Sequence, residues 1–372
     1  MNSKVIIAAA GSGKTRHIVS EAIKRASEGN VLITTFTDKN VEEIKSRIVS
    51  ECGCIPPNIT VQPWFSFLLQ HGVRPYQSAV YPNKRISNLI LISGQSTQGI
   101  KKDDFRNYYL NGDGKIYSDK LATLACRINE ETGGLVISRL SSIYSYIFID
   151  EVQDMAGYDL DFIELLIRSN ITTLLVGDHR QGTFSTNKSN KNKKYRQERI
   201  DTYFKELYNQ GLIEYDDTTL SINHRCIQSI CDLANSIYPE YTECSSGNNC
   251  TVEHMGLFLV NKEDVDSYID KYHPVQLRHN VRTPISNKGP AYNFGLAKGQ
   301  TFDRVLIYPT DTIVQWFIKG AALSPETRSK LYVAVTRARY SVAFVYTPKS
   351  RNIGRFALFN EYADTYAENS LF

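Results

Sequence analysis

The sequence predicts an α/β protein of parallel sheets flanked by helices. Its 372 residues exceed one ordinary domain and suit two or three. Short apolar runs alternate with stretches of helical periodicity, and two of those runs end in clustered polar chemistry, at 11–15 and at 150–151. Val5–Ala10 is the first apolar run, closed by Gly11-Ser12-Gly13 and followed by Ile18, Val19, Ala22 and Ile23 at helical spacing, which reads as strand, loop, helix. The pattern returns at Val31–Phe36 with Val41, Ile44 and Ile48 behind it, then at Tyr146–Asp150 and Thr172–Gly177. A second α/β series follows: a helix over Ile227–Ile237, strands at Leu257–Val260, Val275–Leu277 and Val305–Tyr308, a helix over Leu331–Thr336, and a strand at Val342–Tyr346. Thr186–Arg199 lies between the two series; it holds Lys188, Lys191, Lys193, Lys194, Arg196 and Arg199 and reads as a basic loop or linker. No repeat at a fixed period is visible.

Hydrophobic residues at 42% and charged residues at 22% fit a globular chain that buries a full core and exclude a disordered or fibrous one. No apolar run reaches the roughly 20 residues that span a bilayer, and the opening residues carry no secretory signal, so a cytoplasmic protein without a membrane partner is expected. The net charge of +4 is too small to argue for nucleic acid by itself. The seven cysteines are odd in number and lack paired CxxC units, so reduced thiols are expected; Cys52/Cys54 and Cys244/Cys250 do not have the regular four-ligand spacing of zinc sites.

Ala8-Ala9-Ala10-Gly11-Ser12-Gly13-Lys14-Thr15 fits a P-loop with Ala8 in place of the first glycine. Small residues let the backbone N–H groups of Ala10, Gly11, Ser12 and Gly13 wrap a phosphate, a lysine at Lys14 reaches the β/γ oxygens, and the Thr15 hydroxyl suits Mg²⁺. A glycine-rich turn capping a helix is the plainer alternative, and the strand before with the helix after favours nucleotide. The strand at 146–150 delivers Asp150 and Glu151 to its C-terminal end, where ligand groups belong in an open α/β sheet. Asp150 suits Mg²⁺, and Glu151 suits orienting or deprotonating an attacking water. ATP and Mg²⁺ are the expected cofactors.

Further motifs separate a motor from a kinase or GTPase. Thr34–Asn40 lies between the P-loop and Asp150, and Gly177-Asp178-His179-Arg180-Gln181, Asn223-His224-Arg225, Leu296–Asp303 and Tyr332-Val333-Ala334-Val335-Thr336-Arg337-Ala338-Arg339 follow Glu151 in order. In order and spacing the set resembles the UvrD/Rep helicases of superfamily I, over nearly the whole chain. The resemblance implies two RecA-like domains with ATP in the cleft between them: residues 1–185 as the first, with a reduced helical 1B insertion at about 73–142, a basic loop or linker at 186–199, and residues 200–372 as the second, with no 2B domain.

It further implies that Arg225 and Arg337 serve the γ-phosphate, that Gln181 reports it to the nucleic-acid track, and that Arg16 and His224 flank adenine. His224 stands where the family usually has tyrosine, and only 13 residues precede Lys14, leaving no room for the glutamine motif that reads adenine, so loose base selectivity is expected. Phe36, Thr37 and Phe184 match nucleic-acid contacts of the family, and Trp64 and Phe65 lie in its next contact motif. Trp64 and Phe67 serve equally well as core. Thr186 replaces a stacking tryptophan; Lys191, Lys193, Lys194 and Arg196 either contact phosphate instead or form a solvated loop. Lys298 persists in a motif where Asn293, Gly295 and Thr301 depart from the family pattern.

What the resemblance implies as function is a 3′-to-5′ single-stranded-DNA translocase or helicase, with RNA also admitted as track. A DNA-stimulated ATPase that regulates a complex without processive movement is the alternative. The compact layout also resembles helicase-like subunits of Gabija-type anti-phage systems, which implies an OLD-family nuclease as partner.

Overall fold

The computed structural model describes residues 2–82, 84–187, 189–348 and 354–359. The chain divides into two compact units: Met1–Ala8 with Gly13–Thr219, and Ala9–Ser12 with Leu220–Phe372. No helix among the described residues is long and apolar enough to cross a membrane.

The first unit is built on six strands: β1 Lys4–Ile7, β2 Val31–Thr35, β3 Ile59–Pro63, β4 Tyr146–Asp150, β5 Thr172–Gly177 and β6 Glu214–Asp216. They stand in the order β3-β2-β4-β5-β1-β6, with every neighbouring pair parallel. The central strands are mostly apolar because helices cover both faces of such a sheet, and all five residues of β2 are buried. The unit's helices of eight or more residues, among those described, are α1 Lys14–Arg25, α2 Asp38–Cys52, α3 Leu121–Glu131, α4 Leu135–Ile143, α5 Tyr158–Ile167 and α6 Ile200–Asn209. α2 shows how local sequence sets the bounds. Thr37 accepts the N–H of Asn40 at its start, Gly53 takes the left-handed conformation at its end, and Val41, Ile44 and Ile48 bury one stripe.

Residues 73–142, expected to form a helical insertion, hold a short helix Phe105–Tyr109, α3, most of α4, and a two-residue parallel pairing of Leu89–Ile90 with Ile116–Tyr117. Ile86, Tyr109, Leu124 and Ile128 enter the same core as the sheet, so the segment packs as part of the unit.

The second unit has β7 Gly256–Val260, β8 Val275–Arg278, β9 Ala291–Asn293, β10 Phe302–Tyr308, β11 Ala338–Val345 and β12 Ala357–Leu358, in the order β9-β8-β10-β11-β7-β12, again all parallel. Its helices of eight or more residues, among those described, are α7 Gln228–Ile237, α8 Val265–Tyr272, α9 Asp311–Lys319 and α10 Pro325–Val335. Counted from the first strand of each unit, both sheets run third, second, fourth, fifth, first, sixth. The two units therefore share one strand topology, a relation that the sequence hides because no periodic residue pattern accompanies it.

The structure moves one boundary. The resemblance implies a second domain from residue 200 onward, but α6 packs in the first unit's core and β6 pairs with β1, so the first unit runs to Thr219. Thr186–Arg199 is tied to the first unit rather than strung as a free linker. Asn187 donates to the carbonyl of Asp119 at 2.9 Å, Asn192 to that of Gly157 at 2.9 Å, and Tyr195 is buried against Tyr203. Lys188 lies outside the described residues, as do residues 360–372 of the expected second domain.

Candidate nucleotide and nucleic-acid site

β1 ends at Ile7, and the chain turns through buried Ala8, Ala9 and Ala10 before α1 begins at Lys14. The N–H of Ala8 donates to Gly177 O at 2.8 Å, which anchors the loop's first residue to the end of β5. Gly13 precedes α1 at φ 84°, in the left-handed region that favours glycine, and offers no side-chain cap to the first turn. The helix thus opens with its N–H groups and positive dipole end at the loop, an arrangement suited to phosphate.

At the C-terminal end of β4, Asp150 is buried and receives the N–H of Glu151 at 2.9 Å. The Thr15 hydroxyl donates to its other oxygen at 3.4 Å. Burial first, then the neighbouring Glu151 carboxylate, raises the Asp150 pKa above its ordinary value, while the Lys14 charge opposes the rise. Glu151 sits at φ 56°, an uncommon conformation for a residue with a Cβ, and its carboxylate accepts from Gln153. The turn aims consecutive carboxylates in different directions: Asp150 inward to Thr15, and Glu151 outward to a half-buried position. This is an all-oxygen donor set of hydroxyl and carboxylate, the chemistry that Mg²⁺ takes.

Beyond β5, Asp178 carries a network of which the sequence pattern points to Gln181 alone. Arg180 Nε donates to Asp178 Oδ1 at 2.9 Å, Gln181 Nε2 to Oδ2 at 2.8 Å, and the Asp178 N–H to Gln153 Oε1 at 3.1 Å. Arg180 also reaches the Ala8 carbonyl at 3.4 Å. Burial opposes ionisation of Asp178, yet Arg180 and Lys14 outweigh it and hold the carboxyl well below its usual range. His179 beside them is pushed down to about 4 by burial and then by Arg180. Gln153, Asp178 and Arg180 thereby link the phosphate loop, the Asp-Glu turn and Gln181. The motif spelling Gly-Asp-His-Arg-Gln was the available signal for Arg180.

Within the second unit, Ala10 N–H donates to the Tyr332 hydroxyl at 3.3 Å and His224 N–H to Gly11 O at 3.0 Å. Gly11, at φ 70°, has no room for a side chain: a Cβ would stand 2.4 Å from Asn223 Oδ1. That same oxygen accepts the N–H groups of Arg225 and Cys226 at 2.8 and 2.9 Å and so fixes the start of the turn that carries Arg225. Arg225 Nη1 donates to Thr336 O at 3.0 Å. Arg337, 2% exposed, donates to the carbonyls of Val333 and Gln300 and, at 3.3 Å, to the Thr336 hydroxyl. Both guanidinium groups converge on Thr336, although 112 positions separate them in sequence. His224 is exposed, and Arg16 is exposed on α1 of the first unit.

The expected nucleic-acid contacts divide. Trp64 is wholly buried, with its indole N–H on Asp159 Oδ1 at 2.7 Å and its ring against Phe67 and Phe162, so it belongs to the core and offers no face for a base. Phe65 is also buried, with its ring edge-on to half-buried Phe36 at 5.7 Å. Thr186, where a stacking tryptophan was missing, donates to Asp159 Oδ2 at 2.6 Å, a buried structural role. Phe184 is 44% exposed, Thr37 caps α2, and Lys298 is half-buried after the turn Phe294–Ala297. In the basic loop, Lys191 pairs with Asp161, Lys194 with Glu206, and Arg196 donates to Ser189 O.

The first unit is thus a parallel α/β sheet with a small-residue turn after one strand and two carboxylates after another, at the strand ends where open sheets of this kind bind ligands. Residues 1–75 and 106–193 match the UvrD/REP helicase N-terminal domain. No curated protein matches the chain. Among solved structures, arterivirus nonstructural protein 10 (helicase) is similar at 17% identity and a TM-score of 0.48, over 94% of this chain and 60% of that one. The complex of that protein with DNA is similar at 16% and 0.48, over 95% and 63%. The PRRSV helicase is similar at 17% and 0.44, over 94% and 53%. This chain spans about three fifths of the length of the first two proteins.

Proposed function

We propose that the chain is an ATP-dependent translocase or helicase of UvrD/Rep type that works on single-stranded nucleic acid. The partial match to a UvrD/REP helicase domain supports an ATP-dependent enzyme acting on nucleic acid in general. The observation that carries the nucleotide reading is the pairing of the Thr15 hydroxyl, beside Lys14 at the head of α1, with Asp150 at the end of β4.

In this reading Lys14 and the N–H groups from Ala10 to Gly13 bind phosphate, and Arg16 and His224 flank the base. Thr15 and Asp150 would hold Mg²⁺, which supplies positive charge beside the β- and γ-phosphates when bound. Glu151 orients the attacking water and takes its proton, and Gln153 fixes that carboxylate. Arg225 and Arg337 stabilise charge on the transferred phosphoryl group, with Gln181 relaying its presence. Phe36, Thr37, Phe184 and Lys298 contact the strand. Movement runs 3′ to 5′, and the compact chain works beside an OLD-family nuclease, as in Gabija-type defence; both follow the family resemblance.

The test is displacement of streptavidin from biotinylated single strands in the presence of ATP. Release from the 5′ end, abolished by Lys14→Ala, is expected. ATP hydrolysis stimulated by single strands without release from either end would replace the motor with a regulatory ATPase. A nuclease copurifying with the chain tests the partner.

A further inference from the structure

Away from the turn before α1 and the Asp-Glu turn, the first unit holds an open cleft of about 490 Å³ between the segment 95–120, the start of α5 and the loop at 189–191, which carries Lys191 of the basic segment. Three lysines line it, and no carboxylate does. Lys120 is 7% exposed, its ammonium 4.4 Å from the Tyr108 ring centre and 3.4 Å from Asp119 Oδ2. Lys102 donates to the Tyr158 hydroxyl at 2.6 Å and stands 4.9 Å from that ring's centre. Lys191 stands 5.8 Å from the same ring centre and 3.3 Å from Asp161 Oδ1.

Two tyrosine rings thus hold three ammonium groups around one cleft by cation–π attraction. Lysine charge is costly to bury, and Lys120 meets its carboxylate only at the long end of ion-pair range, so an arriving oxyanion gains from a cation already ordered. The remaining lining is neutral and polar, from Gln95 to Ser189 and Asn190. An open, lysine-bearing cleft with neutral polar side chains beside two tyrosine rings fits a flexible phosphodiester backbone, which needs charge and hydrogen bonds but no shape-specific pocket.

We propose that this cleft binds phosphates of a single nucleic-acid strand, at a site apart from Lys14. The inference rests on the nucleic-acid reading given under Proposed function. It gives the otherwise unassigned segment 95–120 a role in holding the track.

The test is binding of fluorescein-labelled oligo(dT) to the full chain, followed by anisotropy between about 50 and 200 mM salt. The variants are K102Q/K191Q, two exposed lysines, and K24Q/K45Q, which removes the same charge from α1 and α2. For K102Q/K191Q, affinity about tenfold weaker is expected, with a salt dependence shallower by about 1.4 in log–log slope, at about 0.7 for each lost phosphate contact. K24Q/K45Q should match wild type. Equal binding by wild type and K102Q/K191Q, or equal loss in both variants, overturns the cleft assignment and leaves the nucleic-acid reading standing. Failure of the wild-type chain to bind oligo(dT) overturns both.

Discussion

The Thr15 hydroxyl and the Asp150 carboxylate lie 3.4 Å apart although 135 positions separate them in the chain. Parallel pairing of β1 with β5 and of β5 with β4 brings the two strand ends to one edge of the sheet. Asp150→Asn should lower ATP turnover at least about 100-fold and raise the Mg²⁺ concentration needed for half-maximal rate. Burial already disfavours the charged carboxylate, so its removal should leave the melting temperature unchanged or higher. A Mg²⁺ titration of steady-state ATPase, paired with calorimetry, checks both outcomes.

Arg225→Ala should reduce kcat by about 10³, the lower range for loss of an arginine finger, with nucleotide affinity changed much less. Arg225 is half-buried, and its guanidinium bonds a carbonyl rather than anchoring the core, so the fold should persist. Single-turnover hydrolysis beside equilibrium nucleotide binding separates the two effects; parallel loss of binding and rate would mean that Arg225 supports the site rather than the reaction.

Trp64→Phe should destabilise the chain by about 1–3 kcal/mol, because it leaves the buried Asp159 oxygen without its indole donor. Oligo(dT) affinity should not change, since the ring is wholly buried. Urea unfolding and anisotropy on the same variant check the pair; a large affinity loss at unchanged stability would return Trp64 to the strand.

Asp159 supplies a pH test. Burial pushes its pKa up to about 6 from an ordinary 3.8, against the hydrogen bonds from Thr186 and Trp64. Above pH 6 the folded state carries a buried charge that the unfolded chain solvates freely. Protonation relieves that cost as pH falls through 6, so the folded state binds the proton more tightly and gains stability. Relative to Asp159→Asn, the wild-type chain should gain about 1.4 kcal/mol between pH 7.5 and 5. Urea unfolding of both proteins at the two pH values measures it; a constant difference would mean that the carboxyl titrates normally.

The α/β alternation and its apolar strands were legible because a sheet buried on both faces writes continuous hydrophobic runs such as Val31–Thr35. The small-residue turn before α1 and the Asp-Glu turn after β4 are legible as local structure because each is contiguous. What the sequence hid depends on distant partners. α6 and β6 look like the start of a new domain until β6 pairs with β1. Trp64 was balanced between core and contact until Asp159, 95 positions away, took its N–H. The role of Arg180 lies in a buried pair with Asp178 that no local pattern announces. How the basic loop at 186–199 is anchored is not legible in sequence, because its anchors are single residues, Asn187, Asn192 and Tyr195, rather than an apolar stripe.

ATP turnover titrated with oligo(dT), for wild type and Glu151→Gln side by side, tests the account most directly. The account requires wild-type turnover to rise at least about tenfold at saturating single strand, and Glu151→Gln to bind nucleotide yet turn over about 10³-fold more slowly. Turnover indifferent to single strands, or undiminished in Glu151→Gln, would contradict it.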